Sequence, residues 1–176
     1  LPISRVPGFR SVLAFLHAVS GDPEAAERHF APLRAEGFAF PEDQVWMVAT
    51  ALSAHVAHLL ADREAAAVLV ARLEPYAGRI AVQTLTTCVG AVSYYVGLLR
   101  ATLGEPEVSI VHLQDALERT ARIETPFYRA QTMLDLAALT RARDPEGAAT
   151  LLAEASELAD RYGFAGLAGR AASAAP

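Results

Sequence analysis

The sequence predicts an all-α fold in which antiparallel helical hairpins stack as an α-solenoid of about eight to nine helices. Two observations lead to this prediction. Alanine is the most common residue, aromatic residues make up only 7% of the chain and β-branched residues are sparse, so the composition favours helices over sheets. In addition, four similar turn signals recur at intervals of 40, 43 and 39 residues, which is typical of a repeat architecture.

Each turn signal predicts the start of a helix. An aspartate at the N-cap accepts hydrogen bonds from the first free N–H groups, proline suits the first helical position, and glutamate in the first turn complements the helix dipole. The signals combine acidic residues with proline or arginine, and they are Gly21-Asp22-Pro23-Glu24, Ala61-Asp62-Arg63-Glu64, Gly104-Glu105-Pro106-Glu107 and Arg143-Asp144-Pro145-Glu146.

The residues that follow each signal keep the same register. Five positions after the first turn residue there is a small residue, in order Ala26, Ala66, Ser109 and Ala148. Four positions later there is a large apolar one, in order Phe30, Val70, Leu113 and Leu152. Small residues also precede the turns, at Ala14, Ala54, Gly97 and, if the fourth turn has one extra residue, Ala137. Small residues on both helices of a pair predict close antiparallel packing.

The predicted elements follow from these signals. First helices of the hairpins are expected over about 9–20, 42–60, 88–103 and 127–142, second helices over about 23–36, 63–76, 106–123 and 145–162. We therefore expect one helical-repeat domain, 1–176, with units at about 9–37, 42–78, 88–124 and 127–162 and a terminal helix at 164–174. Residues 78–87 are the least helical part of the chain, so we expect them to form a longer connection between the second and third hairpins. The chain does not begin with Met, so we interpret it as a fragment of a longer protein.

The order of these motifs resembles a known family. The spacing of small and large residues after the turns resembles that of the tetratricopeptide repeat. A closer resemblance, to the C-terminal helical domain of large bacterial ATPase-type signalling regulators, is carried by several segments: 73–79 (LEPYAGR), 95–99 (YVGLL), 103–104 (LG), 112–117 (HLQDAL), 134–137 (LDLA) and 151–155 (LLAEA). Those regulators carry a LuxR-type DNA-binding domain or an adenylate cyclase domain. The resemblance implies a sensor or scaffold arm of an ATP-driven switch.

Charge and hydropathy argue against several function classes. The net charge of −5 and the scattered arginines disfavour direct contact with nucleic acid. No apolar run approaches the roughly 20 residues that cross a bilayer, so no membrane contact is expected. The single cysteine, Cys88, cannot form an internal disulfide, which favours a reducing, cytoplasmic location.

The candidate catalytic and metal-binding residues are better interpreted as structural. His55 and His58 share a helix face and Asp62 follows four residues later, a spacing that could offer two ligands to a metal. The glutamate of a His-Glu-x-x-His motif and a further ligand are missing, so we expect a partly exposed histidine pair and no metal. Cys88 is expected to begin an apolar helix as a buried, unreactive thiol. The acidic edge at Glu154 and Glu157 suits a solvated face. We expect no catalytic residues, no cofactor and no enzyme activity.

Binding is the stronger hypothesis, because the first helices of stacked hairpins line a concave surface. Its large or hydrogen-bonding candidates are Trp46, Tyr94, Tyr95, Arg100, Arg129 and Gln131. The expected partner is another protein or another domain of the parent chain. The alternative is a small effector bound in a pocket on the concave surface. Residues 165–170 either cap the last hairpin or dock on a neighbouring copy, which leaves a homodimer open.

Overall fold

A computed structural model describes residues 6–83 and 87–174. They form nine α-helices, a 3-10 turn and one small sheet, which confirms the all-α prediction. The helices are α1 Pro7–Val19, α2 Pro23–Ala35, α3 Trp46–Leu59, α4 Arg63–Leu73, α5 Val92–Thr102, α6 Pro106–Arg122, α7 Pro126–Thr140, α8 Pro145–Tyr162 and α9 Ala165–Ala174; the strands are β1 Ile80–Gln83 and β2 Thr87–Ala91. The chain divides into two compact units, Leu1–Ser109 and Ile110–Pro176.

All four turn signals start a helix, as predicted. The side chains of Asp22, Asp62 and Asp144 each accept a hydrogen bond of 2.9 Å from the N–H three residues later. They therefore cap α2, α4 and α8 and satisfy backbone donors that have no partner inside the helix. Proline occupies the first position of α2, α6 and α8, where its missing N–H costs no helical bond.

The first three turns share one backbone geometry. Gly21, Ala61 and Gly104 all have positive φ, at 77°, 52° and 82°. In each turn the next N–H donates to the carbonyl five residues earlier, which ends the preceding helix. The fourth connection has four residues between its helices, whereas the other three have three.

The small residues of the repeat register are buried. Ala26, Ala66, Ser109 and Ala148 are each at most 1% exposed, and the large residues four positions later are buried beside them. Of the small residues that precede the turns, Ala14, Ala54 and Ala137 are buried to the same extent. The register read from the sequence therefore marks the faces along which helices pack.

In the first unit the helices follow the order of the hairpins. α1 packs against α2 and α3, and α3 packs in turn against α4 and α5. The first helices of three successive hairpins are therefore neighbours, as stacked repeats require. α3 lies between α1 and α5, and residues 48–57 are buried on every side of it.

A β-hairpin replaces part of the helix predicted to begin the third hairpin. The prediction of helix from residue 88 is wrong, because β1 and β2 pair antiparallel and α5 begins only at Val92. Ile80, Val82 and Val89 suit a strand, and Gly90 has φ of 92°, which a helix does not accept. Cys88 consequently lies opposite Val82 on β2 and is half-buried, so its predicted position at a helix start is also wrong.

The first helix of the second hairpin begins later than predicted. α3 starts at Trp46 and not near residue 42. The Asp43 carboxylate accepts a hydrogen bond of 2.9 Å from the Val45 N–H, and the Asp43 carbonyl accepts one from Trp46. Aspartate commonly forms such turns with its own neighbouring backbone, and this turn delays the helix by one turn.

The second unit has its own core. α7 packs against α8 and α9, and α8 packs against α9. Buried alanines and leucines of α7 and α8 form this core, and Leu167 and Ala171 of α9 complete it. The tail around residues 165–170 therefore caps the last hairpin, which was one of its two expected roles.

Candidate functional site

The six predicted binding residues lie in both units: Trp46, Tyr94, Tyr95 and Arg100 in the first, and Arg129 and Gln131 in the second. They differ in how much surface they offer.

Trp46 belongs to a surface stack of three side chains. Its indole packs edge-to-face on the ring of Tyr76, with 5.1 Å between ring centroids. The guanidinium of Arg79 lies 5.8 Å from the centroid of the same Tyr76 ring, within the range of a cation–π contact. Trp46 is half-buried, whereas Tyr76 and Arg79 are exposed. We call Trp46, Tyr76 and Arg79 the Trp46 stack.

The local sequence explains how this stack forms. Trp46 is at the first turn of α3, where it points away from the fully buried middle of that helix. Pro75 ends α4, and residues 74–76 close in a 3-10 turn that carries Tyr76. Two further residues lead to Arg79, next to β1. The stack thus joins the start of one helix of the second hairpin to the end of the other.

Tyr94 and Tyr95 lie in an aromatic cluster inside the first unit. The His55 ring lies 5.3 Å from Phe15, 5.9 Å from Tyr94 and 6.3 Å from Tyr95, measured between centroids. The two tyrosines are only 3% and 2% exposed, and the Tyr95 hydroxyl donates a 2.5 Å hydrogen bond to the Val89 carbonyl. The cluster joins α1, α3 and α5 to the sheet and contributes to the core of this unit.

The two histidines that the sequence placed on one helix face have different surroundings. His55 is buried in the aromatic cluster, so its predicted partial exposure is wrong. His58 is half-buried, and its Nδ1 lies 3.0 Å from the Thr102 hydroxyl on α5. The Thr102 hydroxyl and the two tyrosine rings of α5 therefore meet this face of α3.

Arg100 is bound by two carboxylates of its own unit. Its guanidinium donates to Glu74 at 2.5 Å and to Glu105 at 2.6 Å. These hydrogen bonds, first to Glu74 and then to Glu105, hold the pKa of Arg100 above its ordinary value. The residue therefore links the end of α4 to the start of α6.

In the second unit, Arg129 is the more accessible of the two predicted residues. Its side chain is 41% exposed and lies 3.9 Å from the Glu154 carboxylate of α8. Gln131 is 8% exposed on α7. Arg129 thus offers a cation at the surface, and Gln131 offers little area.

Sequence reasoning missed two features of the first unit. Tyr76 and Arg79 were noted only as part of the segment 73–79, although a Tyr and an Arg three positions apart next to a helix end could have indicated a surface stack. The second feature is a pair of arginine ties between successive hairpins. Arg34 donates to Asp62, and Arg63 donates to the carbonyls of Thr102 and Leu103 at the end of α5.

The first tie lines a shallow, open cleft of about 440 Å³. Its walls are Glu27, Arg34, Leu60, Asp62 and Glu64. Arg34 is bound to Glu27 and Asp62, and these hydrogen bonds, first that of Asp62, raise its pKa. The cleft is therefore mainly acidic.

A metal-binding cluster and a membrane-spanning helix are both missing from the part of the chain that the structure describes. No group of three or more His, Cys, Asp or Glu side chains in residues 6–83 and 87–174 is arranged to hold a metal ion. Within the same ranges, none of the helices has the length and apolar character needed to cross a membrane.

Comparisons with known proteins give no assignment for this fold and its Trp46 stack. Neither a protein-family model, nor a curated protein, nor a solved structure matches the chain.

Proposed function

We propose that this chain is a non-catalytic helical-repeat domain that binds a protein partner or another domain of its parent chain. The parent would be a cytoplasmic bacterial transcriptional or signalling regulator of the LuxR-type or adenylate cyclase-linked kind, as the sequence resemblance implies. The observation that carries the binding role is the Trp46 stack. Its three residue types, Trp, Tyr and Arg, are those most enriched at interface hot spots.

The scaffold around the stack supports this role. Trp46 and Tyr76 lie at the ends of helices whose middle turns are packed in the core, so their positions are set before a partner arrives. A surface that is already ordered loses less conformational entropy on binding than a mobile one. The half-exposed ring of Trp46 offers apolar area, and the exposed Arg79 offers a cation for an acidic partner group.

The proposal is tested by photo-crosslinking in cells with the full-length parent protein. Tyr76 is replaced by a photoreactive phenylalanine analogue, and Tyr162 at the end of α8 serves as the matched control because it is also an exposed tyrosine, 53% accessible. We expect a discrete crosslinked product from position 76, either to a second protein or within the parent, and none from position 162. No product at position 76, or equal products at both, would contradict the proposal.

The interaction is then measured with the identified partner. Tyr76→Ala and Trp46→Ala should each weaken binding by about tenfold or more, as loss of a hot-spot aromatic does. Tyr162→Ala should leave the affinity unchanged. Arg129→Ala tests whether the cation of the second unit takes part in the same contact.

A small-effector sensor is the second candidate, and the acidic cleft is the observation that favours it. Its volume falls within the range of about 300–1,000 Å³ found for ligand pockets, but such pockets are mainly apolar and enclosed. We therefore favour the protein partner. The sensor predicts a rise in melting temperature with a cationic amino sugar or a basic peptide, and Asp62→Asn should abolish that rise. A broad screen of such cations with no shift would reject it.

A further inference from the structure

The charges around the Trp46 stack are unevenly distributed along the chain. No acidic residue occurs between Glu74 and Glu105. Arg79 and Arg100 are the only charged residues in that interval. The Arg100 guanidinium binds both flanking carboxylates, that of Glu74 at 2.5 Å and that of Glu105 at 2.6 Å. Arg79 is therefore left without a counter-charge from its own stretch of the chain.

The Arg79 guanidinium has an aromatic neighbour in place of an acidic one. It lies 5.8 Å from the centroid of the Tyr76 ring, and it forms no ion pair in the part of the chain that the structure describes. Arg28 and Arg72 also lack an ion pair there, but neither guanidinium lies over an aromatic ring. Arg79 thus combines an unpaired charge with a place in the Trp46 stack.

An arginine in this position suits a carboxylate. A guanidinium can contact an aromatic ring and still donate two hydrogen bonds to the planar carboxylate group. Such charge-assisted bonds are stronger than those between neutral groups. The Tyr76 ring is in turn held by Trp46, which packs on it edge-to-face at 5.1 Å between centroids. The stack therefore offers an apolar contact and an anion contact side by side.

Acidic residues at the other end of the stack give this surface a direction. Asp43 lies in the turn before Trp46, and its carboxylate accepts a hydrogen bond of 2.9 Å from the Val45 N–H. Asp43 and the neighbouring Glu42 are both exposed. The Trp46 end of the stack is therefore acidic, whereas the opposite end, at Arg79, is basic.

We propose that the partner segment that binds the Trp46 stack presents an acidic side chain directly beside an apolar one. The carboxylate binds Arg79, and the apolar side chain packs on Trp46 and Tyr76. Charge complementarity selects this occupant and its orientation, because an acidic group at the other end would meet Asp43 and Glu42. This inference rests on the proposed function and adds the chemistry of the partner, with Arg79 as the residue that determines specificity.

Photo-crosslinking from position 76 of the full-length parent tests the proposal when Arg79 is varied. We expect Arg79→Glu to lower the yield of the crosslinked product by about tenfold or more, because two acidic groups then face each other. Arg79→Lys keeps the charge without the bidentate geometry and should lower the yield less. Arg28→Glu is the matched control: it makes the same change of charge at another exposed arginine of the first unit and should leave the yield unchanged.

The crosslinked segment is then identified by mass spectrometry, and its acidic residue is replaced by arginine. In the Arg79→Glu parent this exchange should restore at least about half of the lost yield, because the two charges are again opposite. The affinity of a labelled peptide that spans the segment should fall by about fivefold from about 50 mM to about 500 mM sodium chloride, and Arg79→Gln should remove most of that fall.

The outcomes separate this inference from the proposed function. A discrete product at position 76 that Arg79→Glu does not reduce would overturn the acidic partner and leave the proposed function intact. A mapped segment without an acidic residue, or an exchange of charges that restores nothing, would do the same. Absence of any product at position 76 would contradict the proposed function itself. The melting temperature of each variant establishes that it is folded; if Arg79→Glu lowers it, the salt dependence of the wild-type protein decides.

Discussion

The Ser109 hydroxyl of α6 donates a hydrogen bond of 2.7 Å to the Gly97 carbonyl of α5. Both residues are small and both occupy the register positions at which the helices of a hairpin come closest. Ser109 is 0% exposed, so its hydroxyl has this carbonyl in place of water. At the equivalent position of the other second helices the residue is alanine, which cannot make this hydrogen bond.

Ser109→Ala should lower the free energy of unfolding by about 1 kcal/mol, because one buried hydrogen bond is lost. Ser109→Val should cost about 1–3 kcal/mol, because the added volume also separates the two helices. Urea denaturation measures both. Ser173→Ala is the control, since Ser173 makes a similar hydroxyl-to-carbonyl bond on an exposed face and should change stability by less than about 0.5 kcal/mol. Equal effects at 109 and 173 would contradict the packing role.

Ala66→Leu should destabilise the first unit by about 1–3 kcal/mol, because residue 66 is fully buried at the close approach of α4 to its partner helix. Ala67→Leu adds the same atoms on the exposed side of α4 and should change stability by less than about 0.5 kcal/mol. Thermal and urea denaturation of the two variants give the comparison. A tolerated leucine at 66 would mean that small residues are not required at this register position.

Ala61→Gly should stabilise the protein by up to about 1 kcal/mol. Ala61 has φ of 52°, a conformation that strains residues with a Cβ and that glycine adopts freely. Gly21→Ala, at the equivalent turn with φ of 77°, should destabilise by about 1 kcal/mol although a Cβ there would meet no atom within 4 Å. If the two substitutions change the melting temperature in the same direction, the shared turn geometry is wrong.

Asp62→Ala should cost more than Asp22→Ala. Both aspartates cap a helix, which contributes about 1 kcal/mol to the free energy of unfolding. The Asp62 carboxylate also accepts a hydrogen bond from Arg34 of the preceding hairpin. The partly exposed tie to Arg34 should add less than about 1 kcal/mol after screening by solvent. In a double-mutant cycle, Arg34→Ala should cost less in the Asp62→Ala background than in the wild type. Strict additivity would show that the tie contributes nothing.

The protein should lose stability as the pH falls below about 6.5, and His29 is one cause. Desolvation, followed by the positive charges of His17, Arg10 and Arg28, lowers the pKa of His29 from its ordinary value of 6.5. The unfolded chain therefore binds a proton at a higher pH than the folded chain does, and the stability present above pH 6.5 decreases as the pH approaches the folded pKa.

Denaturation at pH 7.5 and at pH 5.5 measures this loss, and His29→Gln should make it smaller. Arg28→Gln keeps the imidazole and removes one of the charges, so it should reduce the loss only in part. If His29→Gln loses as much stability as the wild type between these pH values, the imidazole is not responsible.

The candidate site was harder to predict than the fold. Trp46 was identified because its residue type favours interfaces, and it does lie at the surface beside Tyr76. Tyr94 and Tyr95 have equally suitable types, but they are buried against His55, and no local pattern distinguishes a buried tyrosine on a first helix from an exposed one. The exposure of a residue depends on the helix that packs over it, and this information is absent from the residue's own neighbourhood in the sequence.

The sequence by itself determined where the second helix of each hairpin begins, because Asp22, Asp62 and Asp144 act on the backbone within three residues of themselves. It also determined the register of small residues, since helical periodicity is a local property. Only the tertiary structure decided that residues 88–91 form a strand, that His55 is enclosed, and that Tyr76 and Arg79 join Trp46. The strand depends on pairing with the neighbouring β1. The enclosure of His55 and the contact of Tyr76 with Trp46 depend on segments far apart in the chain, which meet only when the helices have packed.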